Sequence, residues 1–295
     1  PARAGAEFES PKTGTSNGRR SRTSTASMAR LGDLAVWLDV FDGRAAAAWF
    51  NARSHVPVIA TLCYGAMLLL LPRLLVGRKP LKLHGATFYW NAMLTLFSVF
   101  GTAGCLPTLL RVLGTRGFQF SCCADVFEIV GNDGRGAPYF WAAAFVFSKQ
   151  LEFGDTMLLL LKKKPVSFLH SFHHISVALL TWIGFGLHAP VAMWCGTMNY
   201  TVHSLMYAYY AAMASPTLRP IARPFAGAVT LLQLAQMVVA SGIHLAIVGW
   251  HLAGAKCWWD PPMLLCTLLC YIVYLALFAE IFVSRYLLRR RDKAE

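Results

Sequence analysis

Three histidines lie on one stripe of a strongly apolar stretch of the chain. His170, His173 and His174 are spaced i, i+3 and i+4 in the segment FLHSFHHISV, so in a helix their imidazole rings share one face. Ionisable groups are costly in a bilayer, and they usually face the interior of a helix bundle and serve function. Imidazole can bind a metal, transfer protons or act as a nucleophile. This stripe is therefore the first place where we expect chemistry.

The preceding apolar stretch carries a second set of ionisable residues, in the segment SKQLEFGDT. Its four polar residues are spaced i, i+3, i+6 and i+7, which is again one helical face: Lys149, Glu152, Asp155 and Thr156. Lys149 and Glu152 are close enough to form an ion pair across one turn. Two interpretations stay open for this pair, a structural ion pair between two helices and a part of the reactive site.

A third stretch, MNYTVHSLMYAYY, adds an amide and a fourth histidine. Asn199 and His203 are four residues apart on one helical face, and we interpret them as a hydrogen-bonding pair. Cys195 lies one turn before Asn199, and Tyr207 and Tyr210 continue the face in the other direction. Tyrosines are also enriched at membrane interfaces, so the two aromatic residues alone would not indicate a site.

Weaker signals follow in the sixth apolar stretch and after it. The segment TLLQLAQ places Gln233 and Gln236 three residues apart, although Gln often only bridges membrane helices. His244 and Glu280 are isolated, and we interpret both as structural.

The composition indicates that a membrane surrounds these residues. Of the 295 residues 56% are apolar and only 14% are charged, which is about half the charged fraction of soluble domains. The net charge of +13 would suit nucleic acid, but many of the basic residues flank long apolar runs, as in membrane proteins. The composition therefore excludes a disordered protein, a disulfide-rich miniprotein and a nucleic-acid-binding module.

Seven apolar runs approach or exceed the roughly 20 residues that a membrane-spanning helix needs. They lie at 55–76, 86–113, 138–161, 167–187, 190–213, 221–250 and 262–288. We predict an all-α polytopic membrane protein whose seven-transmembrane helix bundle is the catalytic domain over 55–288. The remaining predicted regions are a disordered N-terminal extension at 1–30, a pre-membrane segment at 31–54 and a basic cytosolic tail at 289–295.

The loops predict an orientation and a disulfide. Lys and Arg cluster at one set of helix ends, which places those ends and the C-terminus in the cytosol. Cys122, Cys123 and Cys257 fall in loops assigned to the opposite side. In an oxidising lumen Cys257 is expected to pair with Cys122 or Cys123, and the sequence does not decide between them.

Three kinds of chemistry compete for the polar groups. A metal oxidase would use the HSFHH box, which resembles a box of membrane desaturases and hydroxylases, but a single HxxHH box has too few ligands for two irons. A seven-span receptor or channel would not need stacked histidines, and no Pro- or Gly-broken pair of spans marks a transport site. Nucleophilic and acid–base catalysis by imidazole, with Asn199 as an oxyanion donor, fits best. We therefore predict no metal centre and no bound cofactor.

The four polar segments together resemble the motifs of the ELO family of very-long-chain fatty acid elongases. KQLEFGDT is similar to KxxExxDT, FLHSFHH to FLHxxHH, MNYTVHSLMYAYY to NxxxHxxMYxYY and TLLQLAQ to TxxQxxQ, in family order over 149–236. The resemblance implies a 3-ketoacyl-CoA synthase of the endoplasmic reticulum membrane, which condenses an acyl-CoA with malonyl-CoA and releases CO2 and CoA. The third segment is most similar to the branch that extends saturated and mono-unsaturated chains.

The resemblance also implies roles for individual residues. It makes His173 and His203 the expected covalent centre, through an acyl-imidazole with His173 as the nucleophile, while His170 and His174 orient that ring or move protons. Asn199 would stabilise the enolate formed from malonyl-CoA. Cys195 is the rival nucleophile, because soluble condensing enzymes use cysteine.

The substrates would meet further residues of the same motifs. Lys149 is the best single candidate for a contact with CoA, whose phosphates favour basic partners, and the acyl tail is expected in an apolar tunnel through the bundle. The other motif residues expected at the substrate site are Glu152, Asp155, Thr156, Tyr207, Tyr210, Gln233 and Gln236. The expected partners are acyl-CoA, malonyl-CoA, membrane lipid, a second copy of the chain and the other enzymes of the elongation cycle.

Overall fold

The computed structural model describes residues 38–288, and a compact unit begins at Phe41. The predicted N-terminal extension at 1–30 and basic tail at 289–295 lie outside the described residues. Within residues 38–288 the secondary structure is helical, apart from one antiparallel bridge between Asp42 and Arg135.

The helices follow one another through short connections. In chain order they are α1 (Gly43–Asn51), α2 (His55–Leu74), α3 (His84–Cys123), α4 (Val126–Val130), α5 (Ala137–Leu151), α6 (Phe153–Leu161), α7 (Phe168–Gly186), α8 (Val191–Ala214), α9 (Arg219–Ala222), α10 (Ala226–Leu252) and α11 (Pro261–Phe282). Short 3-10 turns at Asn132–Gly134 and Arg223–Phe225 and a π-helical segment at Val283–Leu288 complete the described chain.

Five segments within residues 38–288 are long and apolar enough to cross a membrane: His55–Leu74, His84–Cys123, Phe168–Gly186, Arg219–Leu252 and Pro261–Tyr286. The all-α polytopic membrane class is therefore confirmed, whereas the count of seven spans stays a prediction. The two further predicted spans are the most polar ones. One of them is divided at Glu152 into α5 and α6, and the other, α8, is helical over its whole length but carries Asn199 and His203.

Part of the predicted pre-membrane segment is a helix that packs against the bundle. The Asp42 carboxylate accepts a hydrogen bond from the Ala45 backbone N–H at 2.9 Å and so caps α1. Phe50, at the other end, is buried and meets the ring of Trp182 edge-on at 4.6 Å. The Trp182 indole also donates to the Phe50 carbonyl at 2.9 Å. Sequence reasoning missed α1 because nine residues are too short to span a bilayer.

Helix α3 extends well beyond the predicted span at 86–113. Its 40 residues would measure about 60 Å, twice the hydrocarbon thickness of a bilayer, and the helix is kinked at Gly117, where φ is +83°. Glycine adopts this conformation without the steric penalty of a Cβ atom. The final turn brings Cys123 to the loop between α10 and α11, where it forms a disulfide with Cys257. Cys122 is buried and free.

Non-reducing peptide mapping is expected to recover Cys123 linked to Cys257, with Cys122 as a free thiol. The backbone supports this pairing, because the Trp258 N–H donates to the Cys123 carbonyl at 2.7 Å and holds the two segments together. Cys122→Ser serves as the control and should leave the linked peptide in place. Recovery of Cys257 linked to Cys122, or of all three as free thiols, would contradict the pairing.

Candidate active site

A buried hydrogen-bonded chain connects α5 with α8. Lys149 is 2% exposed, and its ammonium donates to Glu152 Oε1 at 2.6 Å and to Asn199 Oδ1 at 2.9 Å. The amide nitrogen of Asn199 lies 3.0 Å from His203 Nε2. Ser148 Oγ donates to the same Glu152 oxygen at 3.3 Å. The two predicted pairs, Lys149 with Glu152 and Asn199 with His203, are thus parts of one network.

This network fixes the orientation of the Asn199 amide. An ammonium group has only donors, so the oxygen of Asn199 must face Lys149 and its NH2 group must face His203. His203 Nε2 then accepts, and the neutral ring carries its proton on Nδ1, which lies 3.9 Å from Glu152 Oε1, too far for a hydrogen bond. One N–H of Asn199 remains available for a ligand.

Asp155 joins three helices at one point. Its carboxylate accepts hydrogen bonds from Trp90 Nε1 at 2.6 Å and from the Tyr207 hydroxyl at 2.8 Å. The indole can come this close because Gly154 has no side chain, and a Cβ there would lie 2.6 Å from the Trp90 ring. Tyr207 in turn packs edge-on against His203, with 5.1 Å between ring centroids. Asp155 therefore positions the ring that borders His203.

Thr156 links the first histidine of the stripe to α2. Its hydroxyl lies 2.7 Å from His170 Nε2 and 2.9 Å from the Tyr64 hydroxyl. The His170 ring packs on His174 at 4.3 Å, and His174 meets His173 edge-on at 5.6 Å. The three imidazoles share one stripe but have different neighbours, because His170 contacts the Thr156 hydroxyl of α6.

His173 is positioned by packing. Within residues 38–288 neither of its ring nitrogens makes a hydrogen bond, and the residue lines the cavity described below. The Tyr274 ring lies 5.1 Å from the His173 ring, and the Tyr274 hydroxyl is 2.5 Å from Ser176 Oγ. Ser176 also donates to the Phe172 carbonyl. The pair formed by Ser176 and Tyr274 thus fixes one wall beside His173.

An apolar cavity begins at these groups and runs along the bundle. His173 and Asn199 line one end of it, and Cys195 lines its wall one turn beyond Asn199. The other end is lined by Gly184, Phe185, Ala189, Val191, Met193 and Met263. His173 and Phe185 are twelve residues apart on α7, so the cavity is about 18 Å long.

The basic loops lie at the same end of the bundle as the histidines. Lys162, Lys163 and Lys164 connect α6 with α7, and His173 follows within two turns of the start of α7. Lys163 and Lys164 are exposed, whereas Lys162 donates to Thr87 Oγ1 at 3.0 Å. The exposed cations therefore lie in the loop that leads into α7, and His173 follows about one and a half turns after the start of that helix.

The structure brings most of the predicted site residues together, but not all of them in the same environment. Gln236 is buried and lines the cavity, while Gln233 contacts the sulfur of Met206 and Tyr210 is 41% exposed. Asn199 is one of the described residues that line the cavity. His203 is not one of them, and it lies behind Asn199. Lys149 is directed at Asn199 and not at the basic loops.

Sequence reasoning missed three aromatic contributors. Tyr64, Trp90 and Tyr274 come from α2, α3 and α11, outside the four polar segments. Tyr64 and Tyr274 were detectable signals, since each places a phenol hydroxyl in the middle of an apolar span. Trp90 sits near a span end, where tryptophan is common for other reasons.

The same contacts limit which side chains could bind a metal ion. Among residues 38–288, no three His, Cys, Asp or Glu side chains are grouped so that they could hold one ion together. His170 and His203 already have partners, in Thr156 and Asn199.

Comparison with known proteins supports the family expected from the motifs. The model of the family described as ELO: GNS1/SUR4 matches residues 49–294. Fatty acid elongase 3 of Trypanosoma cruzi (strain CL Brener) is 34% identical over 275 residues, which cover 85% of this chain and 90% of that protein. Very long chain fatty acid elongase 6 of Gallus gallus is 32% identical over 247 residues, covering 84% and 90%. The chain therefore belongs to the ELO (GNS1/SUR4) family.

Proposed function

We propose that the protein is the condensing enzyme of fatty acid elongation, which joins a long-chain acyl-CoA to malonyl-CoA and yields 3-oxoacyl-CoA, CO2 and CoA. One observation carries the proposal. An apolar cavity ends at an imidazole without a hydrogen bond and at an amide that a buried network holds in one orientation. The relatives named as fatty acid elongases support the substrate class.

The length of the cavity supports a long acyl chain. One leaflet of a bilayer has a hydrocarbon depth of about 15 Å, which the acyl chain of a membrane lipid fills. The cavity of about 18 Å along α7 is of similar length. Burial stabilises the chain by about 0.8 kcal/mol for each CH2 group, so the tail can anchor the thioester beside His173. The exposed lysines before α7 are available for the phosphates of CoA.

In the first half-reaction His173 takes the acyl group. The unprotonated ring nitrogen attacks the thioester carbonyl, the C–S bond breaks, and the other ring nitrogen gives its proton to the departing thiolate, so that CoA leaves as the thiol. His174 contacts the His173 ring, and His170 contacts His174. These rings orient the nucleophile and connect it to the hydroxyls of Thr156 and Tyr64.

In the second half-reaction malonyl-CoA loses CO2, and its electron pair forms an enolate. The enolate carbon attacks the acyl carbonyl, the C–N bond to His173 breaks, and the released imidazole takes a proton from solvent. The free N–H of Asn199 stabilises the enolate oxygen, and Lys149 and His203 hold that N–H in place. His203 thus acts through Asn199 in this scheme, and Lys149 does not contact CoA.

The proposal is tested with purified protein, malonyl-CoA and a panel of acyl-CoAs that differ in length and unsaturation. Mass analysis is expected to find 3-oxoacyl-CoA products, with saturated and mono-unsaturated chains preferred over polyunsaturated ones. Product formation that needs oxygen and a reductant instead of malonyl-CoA would contradict the proposal and favour an oxidase.

Condensation is expected to proceed without a metal ion. The single HxxHH box and the partners of His170 and His203 leave too few free ligands for a di-iron pair. Elemental analysis of active protein should find no stoichiometric iron or zinc, and a chelator should leave product formation within about twofold. A metal present at one equivalent or more, and lost together with activity, would overturn this scheme.

We also propose the endoplasmic reticulum membrane as the location, with the basic loops, the C-terminus and the CoA-binding end in the cytosol. The disulfide between Cys123 and Cys257 lies at the opposite end of the bundle, where an oxidising lumen would favour it. A second copy of the chain and the other enzymes of the elongation cycle remain the proposed partners.

A further inference from the structure

One buried histidine in the wall of the cavity has a ring nitrogen without a partner. His244 of α10 is fully buried and lines the cavity. Its Nδ1 lies 2.7 Å from the Ala240 carbonyl oxygen. Within the described part of the chain, its Nε2 has no hydrogen-bond partner. A buried polar atom without a hydrogen-bond partner is destabilising, so a ligand that satisfies it would bind more tightly.

The hydrogen bonding of His244 defines what this ligand must supply. A carbonyl oxygen can only accept, so Nδ1 carries the proton, and Nε2 of the neutral ring is an acceptor. The Tyr271 ring packs beside His244 with 5.4 Å between centroids and limits its movement. His244 therefore needs a hydrogen-bond donor, which an unsubstituted hydrocarbon chain does not have.

A second unpartnered polar atom lies on the wall of the same cavity. Thr197 of α8 is 2% exposed, lines the cavity, and its Oγ1 has no hydrogen-bond partner among residues 38–288. Thr197 lies about 200° around α8 from Cys195, and Cys195 packs against the cluster that includes Ile243 of α10. The Thr197 hydroxyl is therefore not on the side of α8 that faces His244. The hydroxyl of Ser241, on the same helix as His244, is also unpartnered, but Ser241 is not among the described residues that line the cavity.

We propose that His244 forms a polar subsite that binds a hydroxyl group carried by the acyl chain. The ligand hydroxyl donates to His244 Nε2. This proposal rests on the proposed function, because it assigns the cavity to the acyl chain. It makes hydroxylated long-chain acyl-CoAs a substrate class of the enzyme.

The depth of the subsite indicates where the hydroxyl must be. Tyr271, which contacts His244, precedes Tyr274 by three residues, or about 4.5 Å along α11. An extended chain advances about 1.2 Å per bond. The hydroxyl is therefore expected roughly three to five bonds beyond the acyl carbonyl.

The test compares long-chain acyl-CoAs that differ only in the position of one hydroxyl group, together with the unsubstituted chain. For wild type we expect kcat/KM to be about tenfold higher for the isomers that reach the subsite than for isomers hydroxylated in the far half of the chain, where the hydroxyl meets an apolar wall. His244→Leu should lower that ratio about fivefold or more, because it removes the hydrogen-bond acceptor at similar volume, whereas Thr197→Val should keep it.

The ratio is measured within each variant, so a general loss of activity or folded protein cancels. Ser241→Ala is the matched control and should keep the wild-type ratio. A wild-type enzyme that elongates the unsubstituted chain without any dependence on hydroxyl position would overturn the subsite alone. A preference that persists in His244→Leu would do the same. Absence of product from every acyl-CoA would overturn the proposed function and the subsite together.

Discussion

His173→Ala is expected to abolish both the release of CoA from acyl-CoA and the formation of 3-oxoacyl-CoA. His173 is the ring that lines the cavity without a hydrogen bond of its own, so it is the histidine most available to attack the thioester. Loss of a catalytic nucleophile commonly lowers the rate by a factor of about 10³ or more. CoA release is measured with acyl-CoA alone, and the acyl adduct on the protein is measured by mass.

The matched variant is Cys195→Ala, which changes the rival nucleophile in the same cavity wall. We expect it to retain CoA release and condensation within about tenfold of wild type, because a wall contact supplies packing and no reacting atom. His170→Ala, which removes the ring bonded to Thr156, should lie between these two. An adduct that maps to Cys195, or CoA release by His173→Ala at the wild-type rate, would contradict the imidazole mechanism while leaving an elongase possible.

The sequence predicts those contacts of the site whose two residues lie on the same helix. Lys149 and Glu152 are three residues apart and Asn199 and His203 four, so the 3.6-residue period alone brings each pair together, and the structure has both contacts. The all-α membrane class likewise follows from the lengths of the apolar runs. Local spacing and composition were sufficient for these features.

The contacts between helices could not be predicted in this way. The bond from Lys149 to Asn199 joins residues 50 positions apart, and Trp90 to Asp155 joins residues 65 apart. Such pairs depend on how the helices pack, for example on the absence of a side chain at Gly154. The sequence therefore indicated Lys149 as a contact for CoA, whereas the structure directs it inward.

The inward position of Lys149 leads to a second large expected effect. Lys149→Met leaves the Glu152 carboxylate buried without its cation, which typically costs about 3–5 kcal/mol of stability. It also removes the donor that holds the Asn199 oxygen, so the amide is free to turn its N–H away from the enolate. We expect a lower Tm in detergent and condensation reduced by a factor of about 10² or more.

A double variant separates the loss of stability from the loss of condensation. A purely structural ion pair and an ion pair that orients Asn199 predict different results for it. Lys149→Met combined with Glu152→Met replaces both charges by apolar side chains, and such replacements often restore stability. We expect the double variant to recover most of the wild-type Tm, but condensation should stay reduced because Asn199 still lacks its donor. CoA release from acyl-CoA alone should fall much less, since within the described residues the Lys149 hydrogen bonds go to Glu152 and Asn199 and not to His173. Recovery of condensation together with Tm would show that the pair is structural and that Asn199 is oriented by other groups.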